Sequence, residues 1–163
     1  MTEGLIDRGR PSRWLRWFLR APIWLYRLGL GGLLGGRFLM ITHVGRRSGL
    51  ARRTVVEVVS FDEASRTYYV CSGWGPGSDW YRNIQKTPDV EIHVRWRRFA
   101  CRARHVQVDE GTRVLLDYAT RNPMAWRKLS EAMVGEPLAG DLAGTRRLAE
   151  KAPMLAFQAP PDA

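Results

Sequence analysis

The sequence predicts an α+β fold in which a mainly antiparallel sheet or small barrel carries attached helices. About five or six short segments rich in β-branched and aromatic residues follow one another mostly as hairpins. Helical patterns stand apart from these hairpins, so regular βαβ alternation is not indicated. A chain of 163 residues is the size of one domain with one core. We therefore expect a flexible N-terminus at residues 1–11 and a single domain at residues 12–163.

The first predicted element is an amphipathic helix at about residues 12–28. Four arginines fall on one side of this helix at about 100° per residue: Arg13, Arg16, Arg20 and Arg27. Its other side is rich in tryptophan and leucine, which either pack on the protein's own core or lie in an anionic membrane interface. The charges leave no uncharged stretch of the roughly 18 residues that a bilayer span requires. Peripheral contact with a membrane's inner face is thus an open alternative.

Strands are predicted at residues 37–44, 54–61, 68–72, 90–96, 99–108 and 154–159. The second strand is almost entirely apolar, which indicates that both of its faces are covered. The fourth strand alternates, so Val90, Ile92, Val94 and Trp96 are expected to share one face.

Helices are predicted in the middle and in the last third of the chain. Ser78 or Asp79 can cap a short helix that ends near residue 86. Asp109 opens a second helix that ends near residue 121, and further helical segments follow to about residue 151.

Charge and cysteine content restrict the partners and the location of the protein. Lysine and arginine number 26 against 16 acidic residues, which gives a net charge of +10. This excess indicates an anionic partner, whether nucleic acid, a membrane surface or a phosphorylated small molecule. Cys71 and Cys101 lie in apolar runs without metal-like spacing, so we expect reduced core residues. Reduced cysteines favour a cytoplasmic location.

The clearest local motif is GRRSG, Gly45 to Gly49, which is followed by Arg52 and Arg53. Glycines let backbone N–H groups converge on one concavity, and arginines add forked, permanently charged donors that match phosphate or carboxylate oxygens. The motif is neither a Walker A loop nor a dinucleotide fingerprint. A solvated hairpin loop without a ligand explains the same residues, so the motif alone leaves both interpretations open.

A second motif is SGWGPGSDWYRN, Ser72 to Asn83. Trp74, Trp80 and Tyr81 offer flat rings beside accessible glycine backbone, a combination suited to a planar heteroaromatic cofactor. The alternative is that Trp80 and Tyr81 anchor a short helix to the core.

Familiar sets of catalytic side chains are not found in the sequence. His43, His93 and His105 fall on three different strands without the spacing of a metal site, and no nucleophile motif is present. We therefore predict no metal and no catalytic side chain. If the protein is an enzyme, a bound cofactor supplies the chemistry and the protein positions it.

The two motifs at this separation resemble the deazaflavin-dependent nitroreductase family over about residues 22–96. Its members carry a strand, a Gly-Arg-(Arg/Lys)-Ser/Thr-Gly loop with a downstream arginine, and a Gly-rich loop that enters Trp-Tyr-x-Asn-(Leu/Ile). The resemblance implies a split β-barrel of the FMN-binding, pyridoxamine-phosphate-oxidase-like type, with an N-terminal helix and peripheral helices. It further implies an oxidoreductase that transfers a hydride from reduced coenzyme F420 to a quinone, enone or nitroaromatic. This 8-hydroxy-5-deazaflavin has a planar ring, a phosphodiester and an oligoglutamate tail.

The resemblance also assigns residues by motif position. The phosphate and tail carboxylates would be held by Arg46, Arg47, Ser48, Gly49, Arg52 and Arg53. The ring would be bordered by Thr54, Val55, Val56, Ser72, Gly73, Trp74 and Gly75. The pocket would be closed by Trp80, Tyr81 and Asn83. The chain departs from the family after Ser72, where many members have a lysine and a longer loop.

Two other functions fit parts of the same sequence. The barrel could hold FMN in place of the deazaflavin. A non-enzymatic nucleic-acid-binding module would also use basic residues interleaved with tryptophans. The aromatic residues cluster in a helix and a glycine loop, not along one strand face, so nucleic acid is the less expected partner.

Overall fold

The computed structural model describes residues 35–161 of the chain. The tail predicted at residues 1–11 and the helix predicted at residues 12–28 lie outside the described residues, so both stay predictions. Between residues 35 and 161, no helix is long and apolar enough to cross a membrane.

The described chain folds into strands and helices close to the predicted positions. The strands are β1 Phe38–Val44, β2 Ala51–Asp62, β3 Thr67–Cys71, β4 Asp89–Val94, β5 Arg97–Arg102, β6 Arg104–Val106 and β7 Met154–Gln158. The helices are α1 Asp79–Lys86, α2 Val108–Arg121, α3 Pro123–Val134 and α4 Leu142–Lys151. The acidic residue in the first turn of α1 and the basic residue in its last turn both stabilise the helix dipole.

The strands form one curled sheet in the order β5-β4-β1-β2-β3-β7-β6. All neighbouring pairs are antiparallel. The long strand β2 pairs with β1 along its first half and with β3 along its second half, with a register shift between Val58 and Ser60. Such a bulge bends a strand, and β5 comes into contact with β7 across the curl. The predicted α+β split β-barrel is therefore confirmed.

Two apolar clusters lie on the two sides of the sheet. Inside the curl, Leu39, Ile41, Ile92 and Phe157 have no exposed surface. Outside it, a second cluster joins the sheet to α2, α3 and α4: it contains Val59, Leu115, Trp126 and Leu148. Each fully buried side chain of this size stabilises the fold by roughly 1.5–3 kcal/mol, so both clusters hold the sheet in its curved shape.

Strand β2 differs from the prediction in length and in burial. It begins at Ala51, so Arg52 and Arg53 are strand residues and not loop residues, because both pair with residues of β1. The prediction that both faces of this strand are covered holds only for part of it: Val56 and Val58 pack against the inner cluster and Val59 belongs to the outer one, while residues 51–53 are exposed. Only Val59 of β2 is buried, and its other valines are partly exposed.

Two further sequence predictions are corrected at β4 and β5. Trp96 does not share the buried face of Val90, Ile92 and Val94, because β4 ends at Val94 and Arg95 turns the chain with a φ of 53°. Trp96 is 70% exposed as a result. The strand predicted at 99–108 is divided at Ala103, whose N–H donates to Pro88 O at 2.8 Å.

Both cysteines are free thiols, as the sequence predicted. Cys71 is buried in the cluster beneath the helices. Burial raises the pKa of Cys71 and of Cys101 to about 12, so neither thiol ionises at neutral pH.

Candidate functional site

The connection between β1 and β2 is a compact loop, Gly45 to Leu50. Gly45 N–H donates to Leu50 O at 2.8 Å, and Gly49 N–H donates to Gly45 O at 2.8 Å. Gly49 has a φ of +67°, a conformation that residues with a Cβ rarely adopt. The hydroxyl of Ser48 accepts from Leu50 N–H at 3.3 Å. In the described residues no acceptor is bonded to the N–H groups of Arg47 or Ser48, so these two donors remain for a ligand.

Arg46 binds the loop to helix α1. Its backbone N–H and its Nη1 both donate to Asn83 Oδ1 at 3.0 Å. Its Nη2 makes an ion pair with Asp79 Oδ1 at 2.9 Å, and Lys86 Nζ donates to Arg46 O at 3.0 Å. Only 18% of the Arg46 side chain is exposed. The structure thus brings the two sequence motifs together, with Arg46 as the structural link between them.

His43 extends this network into the sheet. It is 4% exposed, and its Nδ1 lies 3.2 Å from Asn83 Nδ2. The amide oxygen of Asn83 already accepts from Arg46, so Nδ2 can only donate and His43 Nδ1 must accept. Burial lowers the pKa of His43 to about 4; a backbone hydrogen bond at Val44 opposes this shift and the charge of Arg52 adds to it. His43 is therefore neutral at pH 7 and holds the Asn83 amide in one orientation.

Three arginines next to Arg46 have no such partners. Arg47, Arg52 and Arg53 are exposed. Between residues 35 and 161 no carboxylate lies within ion-pair distance of any of them. Clustered like charges repel one another, and an anionic ligand would relieve that repulsion. Together with the N–H groups of Arg47 and Ser48, their guanidinium groups are donors of the type that phosphate and carboxylate oxygens require.

Strand β2 divides the remaining predicted residues between two faces. Arg52, Thr54 and Val56 alternate onto the face that turns toward the barrel core. Arg53 and Val55 lie on the opposite face. A flat ring bound on the inner face would therefore lie beside Arg52, Thr54 and Val56 and not beside the other two.

The second motif forms a braced turn at the start of α1. Ser72 has no exposed surface, and its hydroxyl lies 2.7 Å from Gly75 O and 2.6 Å from the hydroxyl of Ser78. Gly75 has a φ of +64°, which this turn requires. Ser72 N–H donates to Pro153 O at 2.9 Å. The hydroxyl of Ser72 is consequently used within the turn and fixes its shape.

The aromatic residues of the second motif have different surroundings. Tyr81 is 6% exposed, and its hydroxyl lies 3.2 Å from His105 Nδ1. Trp80 is partly buried and packs against the barrel core, as does Val56. Trp74 and Gly73 are also partly exposed. Trp80 and Trp74 thus retain accessible surface for stacking, whereas Tyr81 is mainly a core residue.

The network includes residues to which the sequence analysis gave no role in the site. Asp79 and Lys86 contact Arg46 from the same helix face as Asn83. Their spacing of four and three residues is the signal that could have found them, because such residues are neighbours on a helix. Sequence reasoning considered Asp79 only as a helix cap and did not use His43. The described residues contain no group of three or more His, Cys, Asp or Glu side chains that could hold a metal ion.

Solved structures with a similar chain path support the fold. The protein Atu2129 of unknown function from Agrobacterium tumefaciens aligns with a TM-score of 0.53 at 15% identity, over 85% of this chain and 55% of that chain. HutZ, the heme storage protein from Vibrio cholerae, aligns with a TM-score of 0.50 at 13% identity, over 83% of this chain and 89% of that chain. The structure of the F420-H2 dependent reductase FDR-A aligns with a TM-score of 0.48 at 14% identity, over 75% and 94% of the two chains. The alignments with Atu2129 and HutZ agree with the curled antiparallel sheet described above.

The family is given by the sequence itself. Residues 19–131 match the model of the F420H(2)-dependent quinone reductase family. The chain belongs to this family, and the resemblance found from the two motifs is confirmed. At the level of its family the protein is an F420-dependent reductase, and so an oxidoreductase. No curated protein sequence matches the chain.

Proposed function

We propose that this protein reduces an activated acceptor, a quinone in the first place and also enones or nitroaromatics, with a hydride from reduced coenzyme F420. The observation that carries the proposal is the division among four neighbouring arginines of the loop and the start of β2: Arg46 is bonded within the protein, while Arg47, Arg52 and Arg53 have no carboxylate partner within residues 35–161. An anionic ligand with a phosphodiester and several carboxylates is the type of partner that such a set of donors requires.

The residues present fit the coenzyme in two parts. Arg47, Arg52 and the N–H of Ser48 would hold the phosphate and tail, with Arg53 adding charge from the other face of β2. The partly exposed residues Thr54 and Val56, with Trp80 packed against the same core cluster as Val56, would receive the planar ring. Because the loop is bonded to α1 through Arg46 and Asn83, the donors are held in place before the coenzyme binds, which lowers the entropy that binding must overcome.

The coenzyme, when bound, supplies the hydride, so the protein needs no titrating base for that step. The work of the chain is to hold the ring beside the acceptor and to exclude water. Burial raises the pKa of Tyr81, so its hydroxyl stays protonated at neutral pH. Its place in the core against His105 gives it a positioning role in this proposal.

The test is to mix purified protein with the reduced coenzyme without oxygen and to follow the coenzyme's absorbance as menadione is added. We expect micromolar binding and an absorbance loss that requires the protein. Arg52→Ala should weaken binding about tenfold or more, with the effect shrinking at high salt. The matched control is Arg127→Ala, an exposed arginine on α3, which should bind the coenzyme as the wild type does.

Failure to bind at micromolar coenzyme would refute the proposal. A protein that is yellow as purified and releases FMN on denaturation would replace F420 by FMN as the cofactor. Binding of the coenzyme without turnover of quinone, enone or nitroaromatic would retain the cofactor and refute the acceptor class.

A further inference from the structure

The turn between β4 and β5 exposes a tryptophan among arginines. Trp96 is 70% exposed, and Arg95, Arg97 and Arg98 on either side of it are exposed as well. Arg95 occupies the left-handed region with a φ of 53°, and the turn projects from the end of the sheet. Within residues 35–161 this exposed indole forms no part of either core cluster, so the packing of the described chain does not account for it.

The charge of this turn is largely uncompensated. Within residues 35–161, Arg95 and Arg97 make no ion pair, and Arg98 has only a long contact of 3.9 Å with Glu91. A Cβ on Gly36 would lie 3.1 Å from Arg95 Nε, so the chain enters β1 beside this turn. The positive charge of the turn therefore lies beside the start of β1.

We propose that the turn Arg95 to Arg98, with Trp96 at its tip, is a docking surface for the anionic phospholipid headgroups of a membrane. Tryptophan is favoured at the boundary between headgroups and acyl chains, and each arginine near an anionic lipid surface adds to the attraction. A single indole on a convex turn suits a flat interface. Single-stranded nucleic acid is held instead by a groove with several stacked aromatic rings, and no second aromatic residue adjoins Trp96 in this turn.

The surface lies at the far end of β1 from the arginine loop. β4 runs antiparallel to β1, with Val94 opposite Leu39, whereas the loop follows Val44 at the other end. The functional reading of this arrangement rests on the proposed function. An apolar quinone dissolves in the bilayer, and the anionic tail of the coenzyme would stay in water at the opposite end of β1. Vesicle binding can be measured without coenzyme, so its failure and the failure of the proposed function are distinguishable.

The experiment is sedimentation of the full chain with vesicles of phosphatidylcholine and phosphatidylglycerol in equal parts. The test variant is R95E/W96S/R97E. The control is M124S/R127E/K128E on α3, which changes the net charge equally and also removes one exposed apolar side chain, since Met124 is 77% exposed. We expect the test variant to lose at least about tenfold in partitioning and the control to stay within about threefold of the wild type.

Three results would overturn the proposal: no vesicle binding by the wild type, an equal loss in both variants, or no loss in the test variant. Loss of binding to single-stranded DNA with vesicle binding retained would assign the surface to nucleic acid instead. Urea unfolding shows whether each variant is folded. If the triple variant is not, Trp96→Ser alone carries the test, because it leaves every charge in place and should still lower partitioning severalfold.

Discussion

The two ends of strand β1 carry arginines in contrasting settings. At the C-terminal end the side chain of Arg46 is 18% exposed and is bonded to Asn83 and Asp79, while the neighbouring Arg47, Arg52 and Arg53 are exposed. At the N-terminal end Arg95 and Arg97 lie on either side of an exposed indole, and within residues 35–161 neither makes an ion pair. A scaffolded arginine loop suits a ligand of defined shape. A charged turn that is not held by such hydrogen bonds suits a surface whose charges have no fixed pattern.

The largest expected effect on stability is at Asn83, whose side chain joins Arg46 of the loop to His43 of β1. Asn83→Leu would leave the Arg46 N–H and guanidinium and the His43 nitrogen without their shared partner. We expect a loss of about 3 kcal/mol in the free energy of unfolding, measured by urea denaturation. The control is Arg82→Ala on the exposed side of α1, which should change stability by no more than about 0.5 kcal/mol. Equal stability of Asn83→Leu and wild type would show that the network does not hold the loop.

The next effect is the pH dependence that His43 gives to this end of the sheet. Its pKa is about 4 in the folded protein against the ordinary histidine value of 6.5, so the unfolded state binds more protons between these values and stability falls as the pH falls. Between pH 7 and pH 5 the expected loss is about 2 kcal/mol. Burial also lowers the pKa of His93, which acts with the same sign.

The contribution of His43 is measured as the difference in pH dependence of the free energy of unfolding between the wild type and His43→Gln. Urea unfolding of the wild type and of His43→Gln at pH 7 and pH 5 should show a smaller pH slope for the variant. His105→Gln, at an exposed position, is the control. A slope that survives unchanged in His43→Gln would mean that other groups produce it.

A smaller effect, on coenzyme affinity, is expected to differ between the two faces of β2. Arg52→Ala should weaken coenzyme binding by about tenfold or more, and Arg53→Ala by less, because Arg53 lies on the face away from the barrel core. Neither substitution should change the free energy of unfolding by more than about 0.5 kcal/mol. Titration of the coenzyme's fluorescence at two salt concentrations gives both affinities. Equal losses would place the tail across both faces of the strand.

The smallest expected effect is on stability at the turn between β4 and β5. Trp96→Ser should change the free energy of unfolding by about 0.5 kcal/mol or less, since the side chain is mostly in water. Urea denaturation checks this. A loss above about 2 kcal/mol would mean that Trp96 packs on the protein, and the contrast between the two ends would then disappear.

Several parts of the structure could be predicted because they depend on local sequence. Alternating burial in β4, the bounds of α1 and the order of the hairpins all follow from patterns within about ten residues. Ser78 does stand at the N-cap of α1, but its hydroxyl bonds to Ser72 and Gly75 and makes no capping hydrogen bond. The pairing of the two motifs and their family were also predicted. Prediction failed where cross-strand partners decide the outcome: β1 draws Arg52 and Arg53 into β2, and the turn at Arg95 removes Trp96 from the face it would otherwise share.

By itself the sequence determined the class of fold, the basic charge and the two motifs that indicate a planar redox coenzyme with an anionic tail. The tertiary structure decided which arginine serves the fold and which are available to a ligand. Four neighbouring arginines look alike in sequence. Only the packing of α1 against the loop gives Arg46 an amide and a carboxylate to bind, because hydrogen-bond partners 33 to 37 positions apart meet only when the sheet has curled.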